Sequence, residues 1–189
     1  MEIAGVVLAA GAGRRYGMPK ALVTYRGGLL VHRAAGTLRE AGVTETVVVV
    51  GAQAARVRAV APELTCVENP DWPTGMASSL RTGLEGLRGW PVPVPAALVL
   101  LVDMPGMTPA ALERMTAHAA PDVLAVPTYD GVRGHPVLLG REHWAGVAAS
   151  ATGDEGARRY LAAHDVVEVD CTGLADPTDL DVPPGTFGS

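Results

Sequence analysis

The sequence predicts an α/β fold, a single three-layer α/β/α domain built on a mostly parallel sheet. Short apolar runs alternate with stretches of helical spacing, the pattern of βαβ units. The runs are near-continuous in Val, Leu and Ala, as in strands covered on both faces. With 189 residues, 48% of them hydrophobic, the chain can pack one domain but not two of ordinary size. Residues 1–189 are therefore expected to form one domain around one core.

The first expected strand, Ile3–Ala9, runs into Leu8-Ala9-Ala10-Gly11-Ala12-Gly13-Arg14-Arg15-Tyr16-Gly17-Met18-Pro19-Lys20. Gly11, Gly13 and Gly17 permit positive φ or close backbone approach, so that N–H groups can converge on an anion. Arg14, Arg15 and Lys20 add positive charge. No Asp or Glu occurs between Ile3 and Arg39, although the net charge is −5. The loop is suited to phosphate, yet it is neither of two familiar phosphate loops. No hydroxyl follows Lys20 as in a P-loop, and Gly11-x-Gly13-x-x-x-Gly17 is one residue too long for a dinucleotide fingerprint. Pro19 disfavours helical backbone at Met18, so the loop should not enter a helix directly. Lys20 is the only lysine, against fourteen arginines. Its compact ammonium on a flexible stem can follow a phosphoryl group as charge develops.

Val31, Ala34, Ala35, Leu38 and Ala41 then recur at helical spacing, and Gly42 supplies the stop. Strands are expected at Thr46–Val50 and Thr65–Glu68, with Gly51 to Val60 holding a crossover. In Asn69 to Leu84, Met76, Leu80, Leu84 and, beyond it, Leu87 share one helical face. This puts Gly75 just before the helix and Ser78 and Ser79 in its first turn. Such a start can serve a ligand or be an ordinary N-cap after a tight Asn-Pro-Asp turn. Trp90 to Pro95 reads as a surface loop. The strand Ala97–Val102 runs into Asp103, and Pro105 turns the chain. A carboxylate at the carboxyl end of a buried parallel strand faces the edge where ligands bind, and its hard oxygen suits magnesium. Thr108 is placed to cap the helix that starts near Pro109. After a strand at Val123–Pro127, Gly131 to Pro136 forms a polar turn before a short apolar strand. Its His135 can be structural or functional. Thr152 to Arg158 reads as an N-capped helix start. Asp179 and Asp181 can be a solvated acidic end or supply a second carboxylate to a metal.

No apolar run reaches 18 residues, and no basic leader precedes the first strand, so neither a membrane span nor a signal peptide is expected and the chain is read as cytoplasmic. Cys66 and Cys171 stand far apart without zinc-ligand spacing. The mildly acidic balance leaves no basic, aromatic-laced face for nucleic acid. A small-molecule partner is expected.

The stretch Leu8 to Leu22 resembles the signature L-A-A-G-x-G-x-R-[hydrophobic]-G-x-P-K-x-L of MobA-like nucleotidyltransferases, with Tyr16 at the hydrophobic position. Four later segments resemble that family in its own order. These are Gly75-Met76-Ala77-Ser78-Ser79-Leu80-Arg81, Asp103-Met104-Pro105, Arg133-Gly134-His135-Pro136-Val137 with Gly153-Asp154-Glu155-Gly156-Ala157-Arg158, and Asp179-Leu180-Asp181. Met104 and Val182 depart from the usual residues, and Pro184-Gly185 stand where the family has Glu-Asp. The resemblance implies a nucleotide-diphospho-sugar transferase-like fold and nucleotidyl transfer from an NTP to a phosphorylated acceptor. It places the nucleotide on Leu8, Ala9, Ala10, Gly11, Gly13, Arg15, Lys20, Gly75, Ser78 and Ser79. Arg15, Lys20 and Asp103 would be catalytic, Asp103 and Asp181 would hold Mg²⁺, and Arg133, Gly134, His135 and Asp154 would receive the acceptor.

The RGHPV and GDEGAR segments resemble the molybdenum cofactor cytidylyltransferase branch. This implies CTP, molybdopterin as acceptor and a molybdoenzyme as recipient. The guanylyltransferase branch usually has Gly where Ala10 stands. A sugar- or polyol-phosphate transferase and a cofactor-binding chaperone are the alternatives.

Overall fold

In the computed structural model, residues 3–90 and 93–181 are described. The expectations that fall on Pro91 and Val92 and on Val182 to Gly185 lie outside the described residues. The chain order is β1 (Ala4–Leu8), a hairpin of β2 (Thr24–Tyr25) and β3 (Gly28–Leu29), α1 (Leu30–Glu40), β4 (Glu45–Val50), α2 (Ala54–Val60) and β5 (Thr65–Glu68). There follow α3 (Met76–Arg88), β6 (Ala96–Leu101), α4 (Pro109–Thr116), β7 (Leu124–Tyr129), β8 (Val132–Arg133), β9 (Val137–Gly140), α5 (Trp144–Ser150), α6 (Arg158–Ala162) and β10 (Val167–Asp170).

Among the described residues eight strands form one sheet in the order β10-β7-β9-β6-β1-β4-β5, with β8 paired off β7. β1 lies parallel to β4 and β6, and β4 to β5, while β9 is antiparallel to both β6 and β7. The sheet is thus mixed but mostly parallel, the α/β architecture expected. After β1 the chain moves to β4 on one side and later returns to β6 on the other. The loops leaving β1 and β6 therefore diverge above a crevice at the carboxyl ends of the strands, the ligand position in open α/β sheets.

Two cores replace the single expected one, because residues along each strand alternate between faces. Val7, Val48 and Leu100 meet Val31 and Leu38 of α1 and Met115 of α4. Val6, Val49 and Val99 meet Leu80 and Leu84 of α3 and Trp144 of α5. Each fully buried Leu contributes roughly 1.5–3 kcal/mol by leaving water, so both layers clamp the strands whose ends carry the site. α3 lies especially close, since a Cβ on Gly83 would be 2.5 Å from Val6 Cγ1.

Local signals explain the element ends. At the end of α1, Gly42 at φ 80° allows Val43 N–H to donate to Leu38 O and Gly42 N–H to Arg39 O, a Schellman motif. Thr108 caps α4 through Ala111 N–H (3.3 Å), with Pro at the first position. The start of α6 differs from its expected form. Thr152 to Glu155 make a turn, the helix begins at Arg158, and no side chain caps it.

Candidate active site

β1 ends beneath the glycine loop. Gly13 has φ 58°, and a Cβ there would overlap the Met18 carbonyl oxygen, so both conformation and space require glycine. Its carbonyl accepts from Tyr16 N–H and Gly17 N–H, folding the loop tightly. At Gly11 the φ is not positive, and a Cβ on it would meet no protein atom within 4 Å. What glycine leaves there is open space in the cleft. Lys20 opens a short 3₁₀ turn, Lys20–Leu22, and the hairpin precedes α1, so the loop does not enter a helix directly.

Lys20 is the centre of the site. Its Nζ donates to Asp103 Oδ2 at 2.6 Å and to Asp181 Oδ1 at 2.9 Å, while Arg15 Nη1 lies 3.7 Å from Asp181 Oδ2. The Lys20 and Asp103 side chains are only 16% and 18% exposed, so their interaction is poorly screened. Burial alone would pull the ammonium down, but hydrogen bonds and charges of both aspartates outweigh it and hold it above its ordinary value. The Lys20 hydrogen bond and charge hold Asp181 below the ordinary carboxylate range. Asp179 is pushed up, first by burial and then by Asp103 and Asp181.

Asp181 arrives on a strap that follows β10. Thr108 Oγ1 donates to Leu174 O, Asp176 N–H to Gly106 O and Leu180 N–H to Asp103 O (2.8 Å). These bonds tie the strap to the turn after β6. Among the described residues no group of three or more His, Cys, Asp or Glu side chains is arranged to hold a metal. Asp103 and Asp181 do aim hard oxygens at one cationic position, and this donor set fits a magnesium ion that keeps water or phosphate in its remaining places.

The start of α3 forms the opposite wall. Gly75 takes φ 115°, and Asn69, 1% exposed, organises the turn before it. Asn69 Nδ2 donates to Ser78 Oγ (2.9 Å) and Ser79 Oγ (3.0 Å), and Asn69 Oδ1 accepts from Asp71 N–H. Ser78 faces the carbonyls of Asp71 and Gly75 and does not line the cleft, whereas Ser79 does. Ser79 Oγ accepts from Asn69, which leaves its own proton free to donate. Asp154, read as an acceptor residue, accepts from Met76 N–H (3.2 Å) and so caps α3 from a distant loop.

The cleft has a volume of about 570 Å³, lined by Ala10 to Arg15, Lys20, Ser79, Asp103 and Asp181 among others. Trp72, Pro73 and Leu101 also line it; the Asn69-Pro70-Asp71-Trp72-Pro73 turn and the strand end were visible in the sequence, but not their direction. Leu8 lines this cleft, while Ala9 is buried on the other face of the sheet. A second cavity of about 320 Å³ adjoins it and shares Leu8, Met76 and Asp154 as wall. Arg133, Gly134, His135 and Asp154 all line this second cavity, over an apolar floor that includes Leu80, Val99 and Val137. Arg133 Nε is paired with Glu168 (2.7 Å). Burial, aided by the Arg158 charge and opposed by Asp103, lowers the His135 imidazole below its ordinary value of 6.5.

The cleft under the glycine loop, with two carboxylates on one lysine, thus opens beside an apolar cavity that shares its wall. The chain belongs to the MobA-like NTP transferase domain family, whose pattern matches residues 5–169. It is 36% identical to the nicotine blue oxidoreductase of Paenarthrobacter nicotinovorans, over 95% of this chain and 92% of that protein. It also resembles the crystal structure of Rv0371c from Mycobacterium tuberculosis H37Rv, at 30% identity and TM-score 0.80 over 96% and 94% of the two chains. That protein has also been crystallised as a complex with manganese (29% identity, TM-score 0.78, the same coverage). The inositol-1-phosphate CTP transferase of T. maritima shares the fold, at 18% identity and TM-score 0.74 over 100% and 92%. Among the described residues no helix is long and apolar enough to cross a membrane.

Proposed function

We propose that this protein transfers CMP from CTP to the phosphate of molybdopterin-bound molybdenum cofactor and releases pyrophosphate. The observation that carries this reading is the pair of adjoining cavities, the first of them lined by the Lys20, Asp103 and Asp181 cluster. One cavity lies under the glycine loop and carries the charged cluster; the other has an apolar floor fit for a ring system.

In the proposed reaction an oxygen of the acceptor phosphate attacks the α-phosphorus of CTP. A new P–O bond forms as the bond to the β-phosphate breaks, and the electron pair leaves with pyrophosphate. The protein forms no covalent bond, so its work is to position two anions and offset their repulsion. The loop amides and Arg15 hold the triphosphate, and Lys20 moves to the α-phosphoryl as its charge grows. Asp103 and Asp181 would hold Mg²⁺, which when bound neutralises phosphate oxygens. That Rv0371c has been crystallised as a complex with manganese supports a divalent cation as a partner of this chain. Ala10, 4% exposed, narrows the base end, and Ser79 offers a hydroxyl to the base.

The experiment is turnover with CTP, GTP and ATP and the pterin acceptor, followed by pyrophosphate release. CTP should exceed GTP by about tenfold to a hundredfold, the ~1–3 kcal/mol that pocket shape supplies, and Ala10→Gly should narrow the gap. Equal use of CTP and GTP would overturn the base assignment. The relative named as an oxidoreductase favours a second reading, in which a redox nucleotide occupies the cleft and a heteroaromatic substrate the second cavity. NADH or NADPH binding, with no pyrophosphate formed from any NTP, would establish that reading instead.

A further inference from the structure

Two carboxylates that converge on one point repel each other unless a cation lies between them. Here that cation is Lys20, whose Nζ is 2.6 Å from Asp103 Oδ2 and 2.9 Å from Asp181 Oδ1. The same two oxygens are the ones the proposed reading assigns to a divalent ion, and on that assignment this inference rests. A single position between two aspartates cannot hold an ammonium and a divalent ion together, because the two cations would repel at contact distance.

We propose that Lys20 is a place-holding cation: it occupies the metal position when the cleft is empty, and an entering divalent ion displaces it. Three features of the site support an exchange. The Lys20 side chain is 16% exposed and its ammonium is bonded to both carboxylates, so it fills the position rather than lying near it. Its stem starts at the foot of the glycine loop, within the lining of the same cleft, which gives it phosphate as a second destination. The strap that brings Asp181 is tied through Leu180 N–H to Asp103 O, so the carboxylates remain paired by backbone when the lysine leaves. The exchange also keeps Asp103 and Asp181 compensated at every stage, where an empty pair would strain the strap.

Lys20 is the only lysine of the chain. Protein labelled with ¹³C-lysine therefore carries one side-chain Nζ-methylene signal that reports this residue alone. Mg²⁺ without nucleotide should move that signal and narrow it as the side chain is released. In parallel, Mn²⁺ binding measured by electron paramagnetic resonance should be about tenfold or more tighter in Lys20→Met than in the unaltered protein, within the usual range of coupling between competing ligands. In Lys20→Met, adding Asp181→Asn should reverse that gain. A lysine signal unmoved at saturating Mg²⁺, equal Mn²⁺ affinity in Lys20→Met, or no metal binding by either protein before nucleotide would each overturn the exchange. CTP added last separates this from the functional reading. If Mg²⁺ moves the lysine but CTP has no further effect, the exchange stands and the nucleotidyl reading fails.

Discussion

Lys20 and Asp103 form their pair where water is scarce, and each is positioned by backbone that does not depend on the pair. Lys20→Ala and Asp103→Ala should therefore keep the circular dichroism of the parent and lose about 3 kcal/mol of transition-state stabilisation, roughly a hundredfold in turnover. Lys20→Arg should also be impaired, because a planar fork cannot follow one oxygen. His135 makes a different prediction. Its folded-state pKa is below 6.5, so the neutral ring is the favoured form. The contribution to stability is complete above about pH 6.5 and is lost as pH falls toward the folded value, since the unfolded chain then binds more protons. Urea midpoints should fall as the pH drops below about 6.5, and fall less in His135→Asn. Asp103, Lys20 and the RGHPV turn were legible from strand-end position, composition and resemblance. Asn69 was not, because nothing in a sequence shows that an asparagine will be 1% exposed with both serines as partners.

At the scale of elements, the alternation of apolar runs with helical spacing located β1, β4, β5, β6 and β7 within two residues of their ends. The hairpin β2–β3 and strand β8 escaped because each strand has two residues, too short for periodicity to register, and β10 escaped because its mostly exposed Val167-Glu168-Val169-Asp170 offers no apolar run. The strap escaped because backbone bonds hold it, and these leave no pattern in side chains. Its role predicts that Asp181→Asn raises the Mg²⁺ concentration for half-maximal activity. Truncation after Pro177, which also removes the Leu180 bond to Asp103, should have at least as large an effect. An unchanged magnesium dependence in both would assign the strap to solvent. Two helix glycines make a paired test of packing. Gly83→Ala should lower Tm, because the new methyl presses on Val6 and Val49 and overpacking costs about 1–3 kcal/mol. Gly36→Ala in α1 meets nothing within 4 Å and should raise stability by up to about 1 kcal/mol.

The whole molecule is arranged so that one sheet edge serves two cavities, and the alternation of strand residues ties each cavity to a different depth of the fold. The cleft lies over the loops that follow β1 and β6, while the second cavity reaches down to Leu80, Val99 and Val137 between sheet and α3. Ser79 touches only the first and His135 only the second, whereas Met76 stands in the wall of both. Ser79→Ala should therefore weaken nucleotide binding by calorimetry and leave the acceptor KM near its parent value, and His135→Ala should do the reverse. With no shared partner between them, the double variant should be additive within about 0.5 kcal/mol. Met76→Ala should raise both constants, because it removes a side chain that separates the two sites without touching the charged cluster. Strong coupling between Ser79 and His135, or a Met76→Ala effect confined to one ligand, would mean that the cavities act as a single undivided pocket.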